Sequence, residues 1–199
     1  LRRLFGTTRL VLLAASTREG EEPLVLDAFA QLGMDKALLV IVPRHPQRFT
    51  EVARLLDARR LRWQRRSQGE PVAADTRVVL GDSMGEMFAY FGACDLAFVG
   101  GSLLPLGGQN IIEACAVGTP VLVGPHTFNF AEATELATAA GAAIRVADAD
   151  QLAAEARRLL TDRPAREGMR AHALAFAEAH RGATGRTLHL IESRWSRSR

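Results

Sequence analysis

The sequence predicts an α/β fold, a parallel sheet covered by helices on both faces. Strand-like and helix-like segments alternate along the whole chain. The strand-like segments, such as Ala37–Val42 (ALLVIV), are continuous apolar runs and not alternating ones. Alternation of this kind builds βαβ units, and an unbroken apolar run marks a strand buried on both faces. No internal repeat, low-complexity stretch or linker interrupts the 199 residues, so residues 1–199 read as one domain.

Each element has its own signal. Arg9–Ala15 (RLVLLAA) is the first buried strand, followed by a loop from Ser16 to Pro23. Acids crowd the start of the next helix, as a helix dipole prefers, and Gly33 stops it. Ala37–Val42 is the second strand, and Pro43-Arg44-His45-Pro46 breaks it and launches a helix to about Ala58. Leu61–Ser67 holds a short strand, Gln68–Thr76 is turn-like, and Val78–Leu80 is a strand followed by Gly81-Asp82-Ser83-Met84-Gly85. Glu86–Gly92 is a short helix, Asp95–Val99 a strand, Gln109–Val117 a helix and Pro120–Val123 a strand. Phe130–Ala140 is a helix ended by Gly141, and Ala142–Val146 is the last strand. Leu152, Ala153, Ala156, Leu159 and Leu160 share one helical face. Arg163–His180 and Thr184–Trp195 make a helical tail, about residues 163–199.

Composition narrows the function. With 48% hydrophobic and 24% charged residues, the chain is ordinary for a globular protein and unlike a disordered one. No apolar run approaches the ~20 residues of a membrane span, and no signal peptide opens the chain. The first residue is Leu1 and not Met, which suggests a piece of a longer protein. Cys94 and Cys115 lie in apolar stretches without metal-ligand spacing and read as buried thiols. Of 25 basic residues only Lys36 is a lysine, a bias that weakens arguments from arginine clusters. The cluster Arg54, Arg59, Arg60, Arg62, Arg65 and Arg66 reads first as a solvated face, with an anionic lipid or phosphorylated acceptor as the alternative. Scarce aromatic residues and the lack of a recognised module argue against nucleic-acid binding.

The chemistry concentrates in residues 98–130. Phe98-Val99-Gly100-Gly101-Ser102 runs into Gly107-Gly108-Gln109-Asn110 and a helix bearing Glu113. Glycines let several N–H groups approach a phosphate, and a helix N-terminus adds positive potential. Tight turning alone is the other explanation for those glycines. Glu113 suits the two hydroxyls of a ribose; a first-turn acid favoured by the dipole is the plainer reading. Arg44 and His45 sit at a strand's carboxyl end between two prolines, where Arg44 can fork onto a phosphate and His45 can either donate to a ligand or cap a turn. Met84 and Gly85 offer backbone groups to a base ring, and Asn129 stands in a loop with His126 beyond the next strand. A dinucleotide fingerprint is absent, because the glycine loop comes late and the second strand ends in basic residues. No Ser/His/Asp arrangement, metal cluster or close carboxylate pair is visible. The site reads as one that binds a phosphorylated nucleotide at the carboxyl edge of a Rossmann-like sheet.

The strings Phe98–Ser102, Gly107-Gly108-x-Asn110, Gly124-Pro125-His126-Thr127-Phe128-Asn129-Phe130 and Pro43-Arg44-His45-Pro46 resemble the C-terminal half of the 3-deoxy-D-manno-octulosonic acid (Kdo) transferases. Gly81–Glu86 follows the same pattern, whereas Gln109 stands where the family often has His. The resemblance covers essentially the whole chain. It implies the C-terminal half of a GT-B glycosyltransferase, binding CMP-Kdo, with no metal and no cofactor. The N-terminal half would bind a lipid A precursor and supply the catalytic carboxylate, leaving no catalytic residue in this chain. The reaction would invert configuration at the cytoplasmic face of the inner membrane. Arg44, Ser102, Asn110 and Glu113 would hold CMP or its departing phosphate, with Arg44 and Ser102 stabilising the leaving group; His45, Met84, Gly100, Gly101, Gly107, Gly108, Gln109 and Asn129 complete the expected donor site. A UDP-sugar transferase or epimerase of the same architecture, and a non-catalytic module docking a partner or membrane, are the alternatives.

Overall fold

The computed structural model describes residues 1–181. Seven parallel strands form one sheet in the order β3-β4-β2-β1-β5-β6-β7. They are β1 (Val11–Thr17), β2 (Leu38–Pro43), β3 (Trp63–Arg65), β4 (Val78–Leu80), β5 (Leu96–Val99), β6 (Val121–Val123) and β7 (Ala143–Arg145). The helices are α1 (Arg2–Phe5), α2 (Glu21–Gln31), α3 (Phe49–Ala58), α4 (Met87–Phe91), α5 (Ile112–Ala116), α6 (Ala131–Ala139), α7 (Ala149–Thr161) and α8 (Arg163–Ala179). The expected Thr184–Trp195 segment lies outside the described residues.

Period-two side-chain alternation divides the core into two layers. Leu12, Ala14, Leu39, Ile41, Leu96 and Phe98 face α2, α3 and α7, meeting Leu26, Phe29, Val52, Leu56 and Leu159. Val11, Leu13, Val40, Val79, Ala97 and Val99 face the other way, against Phe5, Tyr90, Phe91, Cys115, Ala173 and Phe176. These strands are apolar throughout because neither face meets water.

Three local readings change. Strand β1 starts at Val11, two residues later than expected, because the Arg9 guanidinium clips the foot of the sheet through the carbonyls of Lys36, Ala37, Ala73 and Thr76. The short helix α1 had no periodic signal; Arg2 fixes it by an ion pair to Asp95 at 2.9 Å. Helix α5 begins at Ile112 and not at Gln109. Asn110 Oδ1 accepts the Ile112 N–H at 2.9 Å, an Asx turn that keeps Gln109 and Asn110 outside the helix.

Tyr90 is the only tyrosine, and it is 1% exposed. Burial pushes its hydroxyl up to about 12, against a smaller opposing effect of the hydrogen bond to Ser83. Its ordinary value is about 10. The unfolded chain therefore loses this proton first, and the stability it contributes is complete below pH 10 and disappears between about pH 10 and about pH 12. Ultraviolet absorbance of the phenolate is expected to rise with a midpoint near pH 12 in the native protein. A midpoint near pH 10 without unfolding would contradict this packing.

Candidate donor site

Strand order reverses between β1 and β5: β2, β4 and β3 lie in turn on one side of β1, and β5, β6 and β7 on the other. Loops leaving β1 and β5 part at that point and open a crevice at the carboxyl edge. A cavity of about 310 Å³ lies there. Ala15, Ser16, Pro43 and Arg44 form its floor and one side, Ser83–Met87 and Tyr90 another, and Gln109, Asn110, Glu113 and Phe130 the rest.

The strand ends are shaped for close approach. Ser16 has φ 55°, a left-handed conformation unusual for a residue with a side chain, and the β1–β2 register slips between Ala15 and Thr17. This turn presses the β1 backbone onto Gly100, where an added Cβ would lie 2.7 Å from Thr17 Cα. Glycine is needed at position 100 for that contact.

Arg44 is exposed, with its backbone N–H bonded to the Thr17 carbonyl at 3.0 Å. Its Nε donates to Gln109 Oε1 at 3.2 Å. Its two terminal nitrogens have no partner among the described residues. Asn110 Nδ2 donates to Glu113 Oε1 at 3.4 Å, and Glu113 Oε2 is left to the cavity. Arginine, amide and carboxylate thus share one chamber, as a phosphate-plus-ribose ligand requires.

The glycine-rich bend behaves otherwise. Glu21, fully buried, fills it from inside. Its Oε1 accepts the N–H groups of Ser102 at 2.9 Å and Leu103 at 3.1 Å. Its Oε2 accepts those of Gly101 at 2.5 Å and Arg18 at 2.9 Å. Gly100 N–H donates to the Ala15 carbonyl and Gly108 N–H to that of Gly101. The Ser102 hydroxyl donates to the Val99 carbonyl at 2.6 Å and accepts from Gly124 N–H at 2.8 Å. These are corrections to the expected phosphate cradle. Gly100, Gly101, Ser102 and Gly108 spend their N–H groups within the fold, and Gly107 lies beside Asn129 and Phe128, off the cavity lining.

His45 is exposed, precedes the 3₁₀ turn Pro46–Arg48 and does not line the cavity. Asn129 is exposed, bonds the Gly107 carbonyl through its N–H, and also stands outside the lining. Met84, Gln109, Asn110, Glu113 and Arg44 are brought together as expected. Sequence reasoning missed Ser16, Ser83, Glu86, Tyr90 and Phe130. Glu86 and Ser83 belonged to a string already noticed after β4, so position at a strand end was the available signal.

The arginine cluster is largely neutralised. Arg59 pairs with Asp27, Arg62 with Asp75 at 2.6 Å, Arg65 with Asp82 at 3.1 Å and Arg66 with Glu86 at 2.9 Å. Burial alone would raise the Asp82 carboxyl, yet hydrogen bonds from the Ser67 hydroxyl and N–H and from Arg65 hold it below its usual range. Burial pushes both thiols up, Cys115 to about 11, so neither is a ready nucleophile.

The sequence family described as Glycosyl transferases group 1 matches residues 17–175, from the end of β1 into α8. The chain belongs to that family. This group 1 glycosyltransferase chain is 49% identical over 194 residues to a 3-deoxy-D-manno-octulosonic acid transferase of Bordetella pertussis, covering 94% of the chain and 45% of that protein. It is 40% identical to the transferase of the same description from Haemophilus influenzae, covering 96% and 46%. The chain therefore spans about half the length of these curated relatives. Among solved structures it resembles the C-terminal CMP-Kdo binding domain of WaaA from Acinetobacter baumannii, at 37% identity and a TM-score of 0.80. That likeness covers 84% of this chain and 89% of the solved domain. The parallel sheet and crevice are thus those of a GT-B glycosyltransferase half. Among the described residues, no helix of this group 1 glycosyltransferase is long and apolar enough to cross a membrane.

Proposed function

We propose that this chain is the donor-binding half of a transferase that moves Kdo from CMP-Kdo to a lipid A precursor in lipopolysaccharide biosynthesis. One observation carries the reading: Arg44 and Glu113 line a single cavity at the switch point of a fold that resembles a CMP-Kdo binding domain. In this reading Glu113 accepts from the ribose hydroxyls and the Arg44 terminal nitrogens fork onto the phosphate. Cleavage of the bond between the sugar's anomeric carbon and the phosphate oxygen leaves its electron pair on CMP. Arg44 stabilises that charge electrostatically as it develops. The acceptor hydroxyl attacks with inversion, and its proton goes to a carboxylate of the half that this chain does not contain. The lipid acceptor brings the enzyme to the cytoplasmic face of the inner membrane. The paired arginines give little support to a membrane-docking role for residues 54–66.

Titration calorimetry with CMP, UMP and AMP tests the proposal. CMP is expected to bind at least ~10-fold tighter than UMP, about 1.4 kcal/mol. Equal affinities, or preference for UMP, would overturn it and favour a UDP-sugar enzyme. Glu113→Gln is expected to weaken CMP by roughly 10- to 100-fold, the scale of a lost charge-assisted hydrogen bond. Inorganic phosphate binding should barely change. Equal losses for both would remove the ribose role.

A further inference from the structure

Beyond the ribose and phosphate contacts, the cavity has a wall between β4 and α4, beside the Met84 and Gly85 backbone, whose polar side chains the donor reading leaves unassigned. Ser83, Glu86 and Tyr90 all line it. The Ser83 hydroxyl donates to Glu86 Oε2 and lies 2.9 Å from the Tyr90 hydroxyl. On the other side, Arg66 donates to Glu86 Oε1 at 2.9 Å. A hydroxyl has one proton to give. Since Ser83 gives its proton to Glu86, Tyr90 must be the donor to Ser83. The run of protons is therefore Tyr90 to Ser83 to Glu86, with Arg66 donating from behind. Every partner points a proton at the Glu86 carboxylate, so that group stays acceptor-only. Its side chain is still 33% exposed.

An acceptor-only wall selects the edge of a base. The exocyclic amine of cytosine donates two protons, whereas uracil has a carbonyl oxygen at the same position. Carboxylates accept from that amine in nucleic-acid recognition by the same logic. Set against the uracil oxygen, the carboxylate would meet a second acceptor, with neither group able to supply a proton. Two acceptors facing each other without a proton between them disfavour the wrong base.

We propose that Glu86 is the specificity-determining residue for the base, accepting a hydrogen bond from the exocyclic amine of a cytosine nucleotide, with Ser83 and Arg66 as positioning residues. This rests on the donor-site reading and adds the group that distinguishes cytosine from uracil. The chemistry requires an amino-bearing pyrimidine and is indifferent to the sugar attached through the phosphate.

The experiment is a calorimetric titration of CMP and UMP into the wild-type chain, Glu86→Gln and Ser83→Ala. Glu86→Gln turns part of the acceptor into an amide donor that can face the uracil oxygen. Its preference for CMP over UMP is expected to fall at least ~10-fold, through weaker CMP and tighter UMP. Ser83→Ala should lower the preference less, since Glu86 keeps Arg66. Far-ultraviolet circular dichroism and thermal melting verify that each variant is folded. If Glu86→Gln does not fold, Glu86→Asp, which keeps the charge but withdraws it, is expected to lose CMP affinity while UMP remains weak. A folded Glu86 variant that keeps the wild-type ratio overturns this inference and leaves the donor-site proposal standing. A wild-type chain that binds neither nucleotide overturns the donor-site proposal itself.

Discussion

Glu21→Ala is expected to remove a large part of the folding free energy. Each carboxylate oxygen accepts two backbone N–H groups, those of Ser102 and Leu103 on one side and of Gly101 and Arg18 on the other. Glu21 is fully buried, and so are Gly101 and Ser102. Deleting the carboxylate strands these donors where water reaches them only if the bend opens. A buried unsatisfied donor costs about 1–3 kcal/mol. Three or four together, with some relaxation, amount to roughly 3–6 kcal/mol. Domains of this kind are stable by about 5–15 kcal/mol, so the variant sits near the unfolding threshold. Chemical denaturation should show a strongly reduced midpoint, and Glu21→Gln should recover only part of it, because its NH₂ would face two N–H donors. A loss under ~1 kcal/mol for the alanine variant would mean that the bend is not held this way.

Arg48→Met is expected to be comparably damaging, for a different reason. Glu22, 1% exposed, takes both Arg48 terminal nitrogens at 2.6 and 3.0 Å and the Thr17 hydroxyl at 2.8 Å. Removing the guanidinium leaves a carboxylate buried with one hydroxyl for company. Breaking a buried pair in this way costs about 3–5 kcal/mol. Replacing both partners removes the stranded charge, so Arg48→Met with Glu22→Leu should be markedly more stable than Arg48→Met alone. Denaturation curves of the two singles and the double complete the cycle. Two additive single losses would show that the pair is not coupled.

The parallel sheet was legible because its signal is local. Val78–Leu80 and Ala37–Val42 are apolar on every residue, and their short length and flanking turn residues mark them as doubly covered strands. Arg44, Gln109, Asn110 and Glu113 were legible because they stand at strand or loop ends where the topology places ligands, and the cavity gathers them. The glycine bend was half legible. Its amides do converge on an anion, but the anion is Glu21, which lies 80 residues upstream of Gly101. Period and composition carry no record of such a pairing, and an acid at a helix start has a sufficient local explanation in the dipole. His45 and Asn129 carried the same strand-end signal. Residence at a strand end does not fix which side chains reach a cavity, and these two are not among its lining residues. The surroundings of Glu86 were hidden because Arg66, and Tyr90 through Ser83, are brought to it from separate elements.

Helix α8 lies behind α5, the helix that carries Glu113. Its Ala173 and Phe176 share a packed layer with Ala114 and Cys115 of α5, and Leu174 and Arg170 close over Gly118. The sheet is complete by Arg145, so an engineer trimming this domain to its architectural minimum would be tempted to cut before Arg163. That cut would unbrace the helix bearing Glu113 from the rear. The smallest portable unit that keeps this cavity braced therefore extends well past the last strand.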